Sequence, residues 1–403
     1  MVYNQLFIFS FSFLAVMLIA WIKNVKLRNG MLAFVNLSFL FFVFYWNSEA
    51  FVLLLVFLLA HYLVLKSFAF VKNTSFKNTF VSLVIILDLA FLGYFNYPML
   101  VQKTSLSDLN LFILVGLGFL ILRLVHITVQ TGKNCLGASL SGLRFLNYLL
   151  FFPAYLSGPL TRYDDFVTSF ENVQPLTSQK VYFGLERCVT GFFKIQVLAY
   201  ASGFFSAHQM TDYALLEVNF LRLIASLAGF TLWLYFSFSG VCDIAIGVGQ
   251  LLGVSLPENF NRPFAAKNIQ QFWQRWHISL MDWVSLYLYQ PLLISIKMIF
   301  PTTPKLSVVI SLLISFCLVG LWHGDAVHFL YYGLFHSLGL VSYFMYSANL
   351  KSKVLSFESH SRVLACGLQI LSWGLTWAFI LSGWFFYLGK QEILLQRLRI
   401  GLG

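Results

Sequence analysis

The chain has 403 residues, of which 59% are hydrophobic and 10% charged, with a formal net charge of +11 and a mean hydropathy of +0.79. A soluble domain carries about 25% charged residues, so composition excludes a soluble enzyme and points to a polytopic membrane protein. The positive charge does not call for nucleic acid, because membrane proteins concentrate Lys and Arg on their cytoplasmic loops.

In chain order, the apolar runs Phe7 to Ile22, Phe51 to Leu65, Phe80 to Tyr94, Leu111 to Val125 and Ile310 to Leu321 are candidate spans. A crossing helix needs about 20 residues, so several runs must borrow their flanks; roughly ten to twelve membrane helices are expected, some of them re-entrant. Lys23, Lys26 and Arg28 follow the first span, Lys66, Lys72 and Lys77 the third, and Arg123, Lys133 and Arg144 the fifth. The intervening segments Asn47 to Ala50 and Pro98 to Asn110 carry only Glu49, and Lys103 with Asp108. That alternation places the N-terminus outside. The opening Met1 to Asn4 lacks a basic start, and no small-residue cleavage site follows, so the first span is expected to remain as an anchor.

Three parts follow from composition. Residues 1–130 are N-terminal transmembrane helices. Across 131–305 the apolar runs are interrupted by polar, Pro- and Gly-containing stretches such as FFPAYLSGPLTRYDDF (Phe151 to Phe166) and LPENFNRPFAAKNIQQFWQRWHISL (Leu256 to Leu280). Residues 306–403 return to transmembrane helices and close on a short basic tail, Lys390 to Arg399. Broken backbone at membrane depth is tolerated only where protein buries it or where it lines a water-filled cavity, so the middle part is where a site is expected. There, Ile269, Phe272, Trp273 and Trp276 recur at helical spacing from a start near Asn268, with Gln270, Gln271, Gln274 and Arg275 opposite. The pattern predicts a helix lying in the membrane interface that delivers His277 to the turn into the next apolar segment.

The five cysteines form no C-x-x-C pair, and no two of the eight histidines have the i, i+4 spacing of a helical metal site, so no metal is expected. His208 and His360 lie beside polar residues and read as solvated loop positions. His61, His126 and His336 sit in apolar runs and read as rings hydrogen-bonded to a neighbouring helix. That leaves His277 and, within GLWHG (Gly320 to Gly324), His323.

GLWHG and the GLFHS that follows (Gly333 to Ser337), together with FWQRWHISL, FFPAYLSGPLTRY and LYFSFSGVCDIAIGVGQLLG (Leu234 to Gly253), resemble the membrane-bound O-acyltransferase superfamily. The likeness runs from about Phe151 to Leu340 and is to the bacterial branch that D-alanylates or O-acetylates envelope polymers; PENFNRPFAAKNIQQFW leans toward its D-alanylating members. One departure stands out. The family usually continues after WHISL as S-x-W-F-R-D-Y, whereas Met281 to Tyr287 reads MDWVSLY, with Ser285 and Leu286 in place of the Arg-Asp pair and an Asp at 282.

The resemblance implies an all-α bundle with re-entrant and interfacial helices around a central tunnel. In it an acyl thioester on the cytoplasmic side, on a phosphopantetheine carrier protein or as acyl-CoA, meets a hydroxyl acceptor from the other side. No permanently bound cofactor is implied. The implied partners are membrane lipid, that donor, and an extracytoplasmic transferase or the polymer itself, in a bacterial plasma membrane. Burial disfavours a charged imidazole, so His323 is expected to be neutral and able to act as general base. His277 would position the donor or polarise its carbonyl, and Trp322, Trp276 and Arg275 would line the substrate path. Asp243, an acid in an apolar segment, reads either as a substrate group or as a partner of Arg262 or Arg275. Arg162, after SGPL, reads either as a phosphate contact or as a helix cap. A transporter or flippase gives the same broken helices and buried ionisable groups, but no inverted repeat is evident; an acyl-relay scaffold for an outside transferase is a further alternative.

Overall fold

At membrane depth every backbone N–H and C=O must be satisfied within the protein, and the closed i to i−4 ladder of a helix does so locally. Accordingly the computed structural model, which describes residues 2–45, 48–71, 73–96, 114–136, 139–172, 174–324, 326–350, 362–390, 392–393 and 396, is built of helices joined by turns and irregular segments, with one isolated antiparallel bridge between Phe260 and Trp276. Lys72, the Pro98 to Asn110 segment, His360 and most of the basic tail lie outside them.

The helices used below are α1 Val2–Ile19, α2 Val25–Val43, α3 Ser48–Ser67, α4 Thr74–Asn96, α5 Leu114–Gly132, α6 Gly142–Leu149, α7 Tyr163–Glu171, α8 Ser178–Phe193, α9 Phe220–Leu251, α10 Ile269–Trp273, α11 Ile278–Val284, α12 Gln290–Ile299, α13 Pro304–Trp322, α14 Val327–Asn349 and α15 Arg362–Tyr387. Six stretches among the described residues are long and apolar enough to cross a membrane, in α2, α3, α4, α9, α13 and α15, with shorter apolar helices at Ser10–Ile19 and Gly116–Gly132. This is fewer than the ten to twelve expected. Much of the middle part is in pieces of ten residues or fewer, and α14 is diluted by His328, Tyr331, Tyr332, His336 and Ser337.

The chain forms two compact units, residues 1–192 with 240–257, and 193–239 with 258–403. The three-part division read from composition does not coincide with them, because the continuous helix α9 contributes to both units and the polar middle stretch is shared out between them.

In the first unit, buried polar groups stitch the helices. Arg123 in α5 is 2% exposed, and its guanidinium donates to the carbonyls of Leu149 at 3.0 Å and Ala154 at 2.7 Å; the first lies at a helix end, and the second also accepts from the Gly158 N–H at 3.2 Å. Arg28 in α2 donates to Leu252 O at 2.6 Å, and Lys77 in α4 is buried and donates to Asn134. All three were counted above as loop charges. They report packing, not sidedness, so only the remaining cations bear on orientation. The expectation for His61 and His126 holds. His61 bridges Asp88 at 3.1 Å and Thr128 at 3.0 Å, and His126 accepts from the Tyr163 backbone N–H at 3.0 Å. Arg144 of α6 grips Glu171 of α7 through two nitrogens, at 2.8 and 2.6 Å. That contact holds the Glu171 carboxyl below its usual range and the guanidinium above its own.

In the second unit, α13 and α14 pack with backbones in contact at two glycines. A Cβ at Gly320 would lie 2.3 Å from Phe329 O, and one at Gly333 would lie 2.3 Å from Phe316 O. Beside this pair sits an aromatic core in which Phe230, Phe272, Trp276, Tyr332 and Trp384 are buried and Trp384 donates to Thr231 at 2.8 Å. His208 is not simply solvated. Its ring stacks on Trp233 at 4.1 Å and bonds Ser206, because the turn at 207–209 folds back onto α9.

Candidate active site

The helix carrying Trp273 begins where the sequence indicates, with the Asn268 side chain accepting from Gln271 N–H at 2.8 Å as its cap. It ends after five residues, at Trp273. The periodic pattern continues to Trp276, but the chain there leaves the helix to pair with Phe260. Ile269, Phe272, Trp273 and Trp276 are all buried in the aromatic core, with Gln270 and Gln274 exposed. The expected interfacial anchor is therefore a core element, since Trp276 meets Phe260 and Phe272 at ring distances of 5.1 and 5.4 Å instead of facing outward.

The purpose of the break is local. Segment Asn259 to Asn261 runs against Arg275 to Ser279: Asn261 N–H donates to Arg275 O at 3.0 Å, and Ile278 N–H donates to Asn259 O at 3.0 Å. The Ser279 N–H and hydroxyl both donate to Asn259 Oδ1, at 3.1 and 2.6 Å. Asn259 is completely buried. Between these bonds His277 is held in the left-handed region, at φ 50° and ψ 49°, as the residue that starts α11. A non-glycine residue there is strained, and such strain persists only where the surroundings over-determine it. The fixed backbone aims the 7% exposed ring at Phe238, whose centroid is 4.7 Å away at 76°.

His323 is the residue that ends α13, its N–H bonded to Gly320 O at 3.0 Å. Its half-buried ring is set among Trp322 at 5.0 Å, Tyr387 at 5.4 Å, and Phe329 and Tyr332, both at 6.1 Å. Two rings 46 residues apart in sequence thus fall inside one unit, one at the start of a helix and one at the end of another. A neutral imidazole here has one nitrogen free of a proton and can accept one from an alcohol.

The other expected residues divide. Trp322, Trp276 and Arg275 belong to the same unit as the histidine pair. Arg275 donates to Arg262 O at 3.4 Å, bracing the loop that holds His277. Asp243 belongs to the first unit, where it pairs with neither Arg262 nor Arg275 but with Arg187 of α8 at 2.7 Å. Glycines explain why α8 is the available partner. A Cβ at Gly191 would lie 2.5 Å from Gly240 O, and one at Gly184 2.7 Å from Leu251, so α8 lies tightly along this stretch of α9. Arg162 occupies the residue before α7 and is exposed, without a side-chain capping bond. A guanidinium only donates, and the start of a helix presents donors, so the capping reading fails. His336 departs from the expected hydrogen-bonded ring: it is 1% exposed and neither nitrogen has a partner among the described residues, its neighbours being aromatic. Asn259 and Tyr332 were not anticipated. The repeated Asn in PENFN was the available signal for the first; nothing marks the second. Among the described residues no group of three His, Cys, Asp or Glu could hold a metal.

A helical membrane bundle carrying a histidine pair on broken backbone, within the motif order noted above, defines a class of intramembrane transferase. The chain belongs to the membrane-bound O-acyltransferase family, whose model matches residues 63–364. It is 28% identical to a peptidoglycan O-acetyltransferase of Helicobacter pylori over 96% of this chain and 77% of that one. It is 29% identical to a teichoic acid D-alanyltransferase of Bacillus subtilis over 70% of each, and 27% identical to a probable alginate O-acetylase, AlgI, of Pseudomonas aeruginosa over 94% of this chain and 70% of that one.

Proposed function

We propose that the protein transfers an activated acyl group, D-alanyl or acetyl, from a cytoplasmic thioester through the membrane to a hydroxyl acceptor used to modify a cell-envelope polymer. The observation that carries this reading is the family match, with His277 and His323 both in one unit on interrupted backbone. The acceptor hydroxyl gives its proton to His323, and its oxygen attacks the thioester carbonyl. The carbon–sulfur bond breaks, and the departing thiolate recovers the proton from the imidazolium, leaving an ester and a free thiol. His277, locked by Asn259, orients the donor or polarises its carbonyl; Trp322 and Trp276 wall the path, and Arg275 steadies the loop. The donor is the thioester of a phosphopantetheine carrier protein or acyl-CoA, and the acceptor is a polymer or an extracytoplasmic transferase. The protein sits in a bacterial plasma membrane with its N-terminus outside, as the remaining loop cations support.

His323→Gln tests the base. Gln keeps approximate size and hydrogen-bonding capacity but takes no proton at neutral pH, so acyl transfer in membranes with matched protein levels should fall about 10² to 10⁴-fold. Wild-type acylation of envelope polymers by the Gln variant, measured by mass spectrometry, removes the assignment. Movement of substrate across the membrane with no covalent product refutes the transferase reading.

A further inference from the structure

The last turn of α15 meets His323. The helix ends on Tyr387, whose ring lies 5.4 Å from the His323 imidazole at 80° and 5.2 Å from the ring of Tyr332. Its end is built into the sequence. Lys390 N–H reaches back to Phe385 O at 2.7 Å and Gly389 N–H to Phe386 O at 3.1 Å, around Gly389 at φ +67°; this is the helix stop in which glycine takes the left-handed turn without steric cost. A Cβ at Gly389 would also lie 3.2 Å from His328 Cδ2, so the glycine makes room for that ring as well. His328 Nδ1 bonds Phe386 O at 2.9 Å, and since a carbonyl only accepts, Nδ1 carries the proton. Lys390 pairs with Asp212, and Trp384, three residues before Tyr387, donates to Thr231. The backbone on both sides of Tyr387 is thus tied down.

Two polar groups at this contact are open. Among the described residues neither the Tyr387 hydroxyl nor a ring nitrogen of His323 makes a hydrogen bond. Both residues are half-buried, and these atoms are not sealed in as both nitrogens of the nearby His336 are. A phenol packed among aromatic rings ordinarily gives its proton to an acceptor. Tyr332 is the other phenol beside His323, but its ring is farther away, at 6.1 Å, and it is 4% exposed.

Resting on the acyl-transfer reading above, we propose that Tyr387 is the hydrogen-bond donor to the thioester carbonyl oxygen during transfer, and that His328 positions it. As the acceptor oxygen, its proton passing to His323, bonds to the carbonyl carbon, the carbonyl π pair moves onto the carbonyl oxygen. The Tyr387 hydroxyl donates to that oxygen and keeps its own proton. The pair then returns, the carbon–sulfur bond breaks, and the thiolate takes the proton from the imidazolium. A donor fixed in advance at the point where charge develops acts chiefly on the transition state.

The test uses the full chain in membranes, with acetyl-CoA and the D-alanyl thioester of pantetheine as donors and acylation of envelope polymers read by mass spectrometry at matched folded protein. Tyr387→Phe keeps the ring and removes only the hydroxyl. It should lower the rate at saturating donor about 10²-fold and leave the KM for the donor within about twofold, because the lost contact forms only in the transition state. Its unfolding temperature should stay at the native value. His328→Ala should also lower the rate, and His328→Asn, whose amide N–H can replace Nδ1–H, should restore most of it. Adding His328→Ala to Tyr387→Phe should lower the rate no further, since both act through one hydroxyl. A native rate in Tyr387→Phe, a loss confined to KM, a larger loss in Tyr332→Phe, or multiplying losses in the double variant each overturns the proposal. His323→Gln is read beside them. If it is inactive while Tyr387→Phe transfers normally, the phenol assignment falls and the transferase reading stands. If the native chain transfers from neither donor, the transferase reading falls and takes this proposal with it.

Discussion

Asn259→Ala is the most informative single perturbation of the brace behind His277. The side-chain oxygen of Asn259 receives both the N–H and the hydroxyl of Ser279, at 3.1 and 2.6 Å, and Asn259 and Ser279 are 0% and 5% exposed. Truncation removes an acceptor that receives two buried donors. At about 1 kcal/mol for each hydrogen bond lost, the expected loss is about 2 kcal/mol. Part of it falls on the left-handed turn at His277, so the remaining folded protein should also lose acyl transfer. A double-mutant cycle with Ser279→Ala separates the two. Removing the hydroxyl first deletes one of the two hydrogen bonds that Asn259→Ala would break, so the double variant should cost about 1 kcal/mol less than the sum of the singles. Thermal unfolding in detergent reads the stability, and transfer rate per folded protein reads the site. Additive losses, or full activity in Asn259→Ala at matched folded protein, would refute the claim that this asparagine positions His277.

Replacing Arg187 by Met should cost more stability than Asp243→Asn, because the first leaves a 4% exposed carboxylate without its counter-charge whereas the second keeps a hydrogen-bond acceptor; equal losses would show that the pair is not carrying the contact. Gly333→Ala should destabilise by about 1 to 3 kcal/mol, since its Cβ would sit 2.3 Å from the Phe316 carbonyl oxygen, and an unchanged melting temperature would contradict the close approach of α13 and α14. The Arg144–Glu171 contact lowers the carboxyl pKa on folding, so its stabilisation is present above the ordinary glutamate range and is lost as pH falls through the lowered folded value. Glu171→Gln should therefore flatten the acid limb of a stability profile while changing the alkaline side little. For orientation, a cysteine at exposed Glu49 should react with an impermeant reagent applied to intact cells, and one at exposed Lys26 should not; the reverse pattern inverts the topology.

The histidine pair was legible in the sequence because an imidazole in an apolar run has few explanations, and because WHIS and LWHG each mark a place where helical periodicity gives way. Their falling in one unit was not legible, since nothing local relates the start of one helix to the end of another. The same limit explains the misread Trp276: spacing at i, i+3, i+4 and i+7 indicates a helix, but whether the last member stays in it depends on a strand-like pairing with Phe260, 16 residues earlier. Asp243 shows the general difficulty with intramembrane charge. Its cost guarantees a partner, yet the partner was chosen by glycines that let α8 lie against α9, 56 residues away in sequence, and not by proximity to Arg262 or Arg275. Arg28, Lys77 and Arg123 make the converse point. Counting cations by loop presumes that each faces water, whereas these three sit buried on helices and satisfy acceptors there. Periodicity reports what an element is, and burial of charge reports that a contact exists. Which contact it is depends on where small residues let backbones meet, so a glycine facing a neighbouring helix is as informative about this fold as the ionisable group beside it.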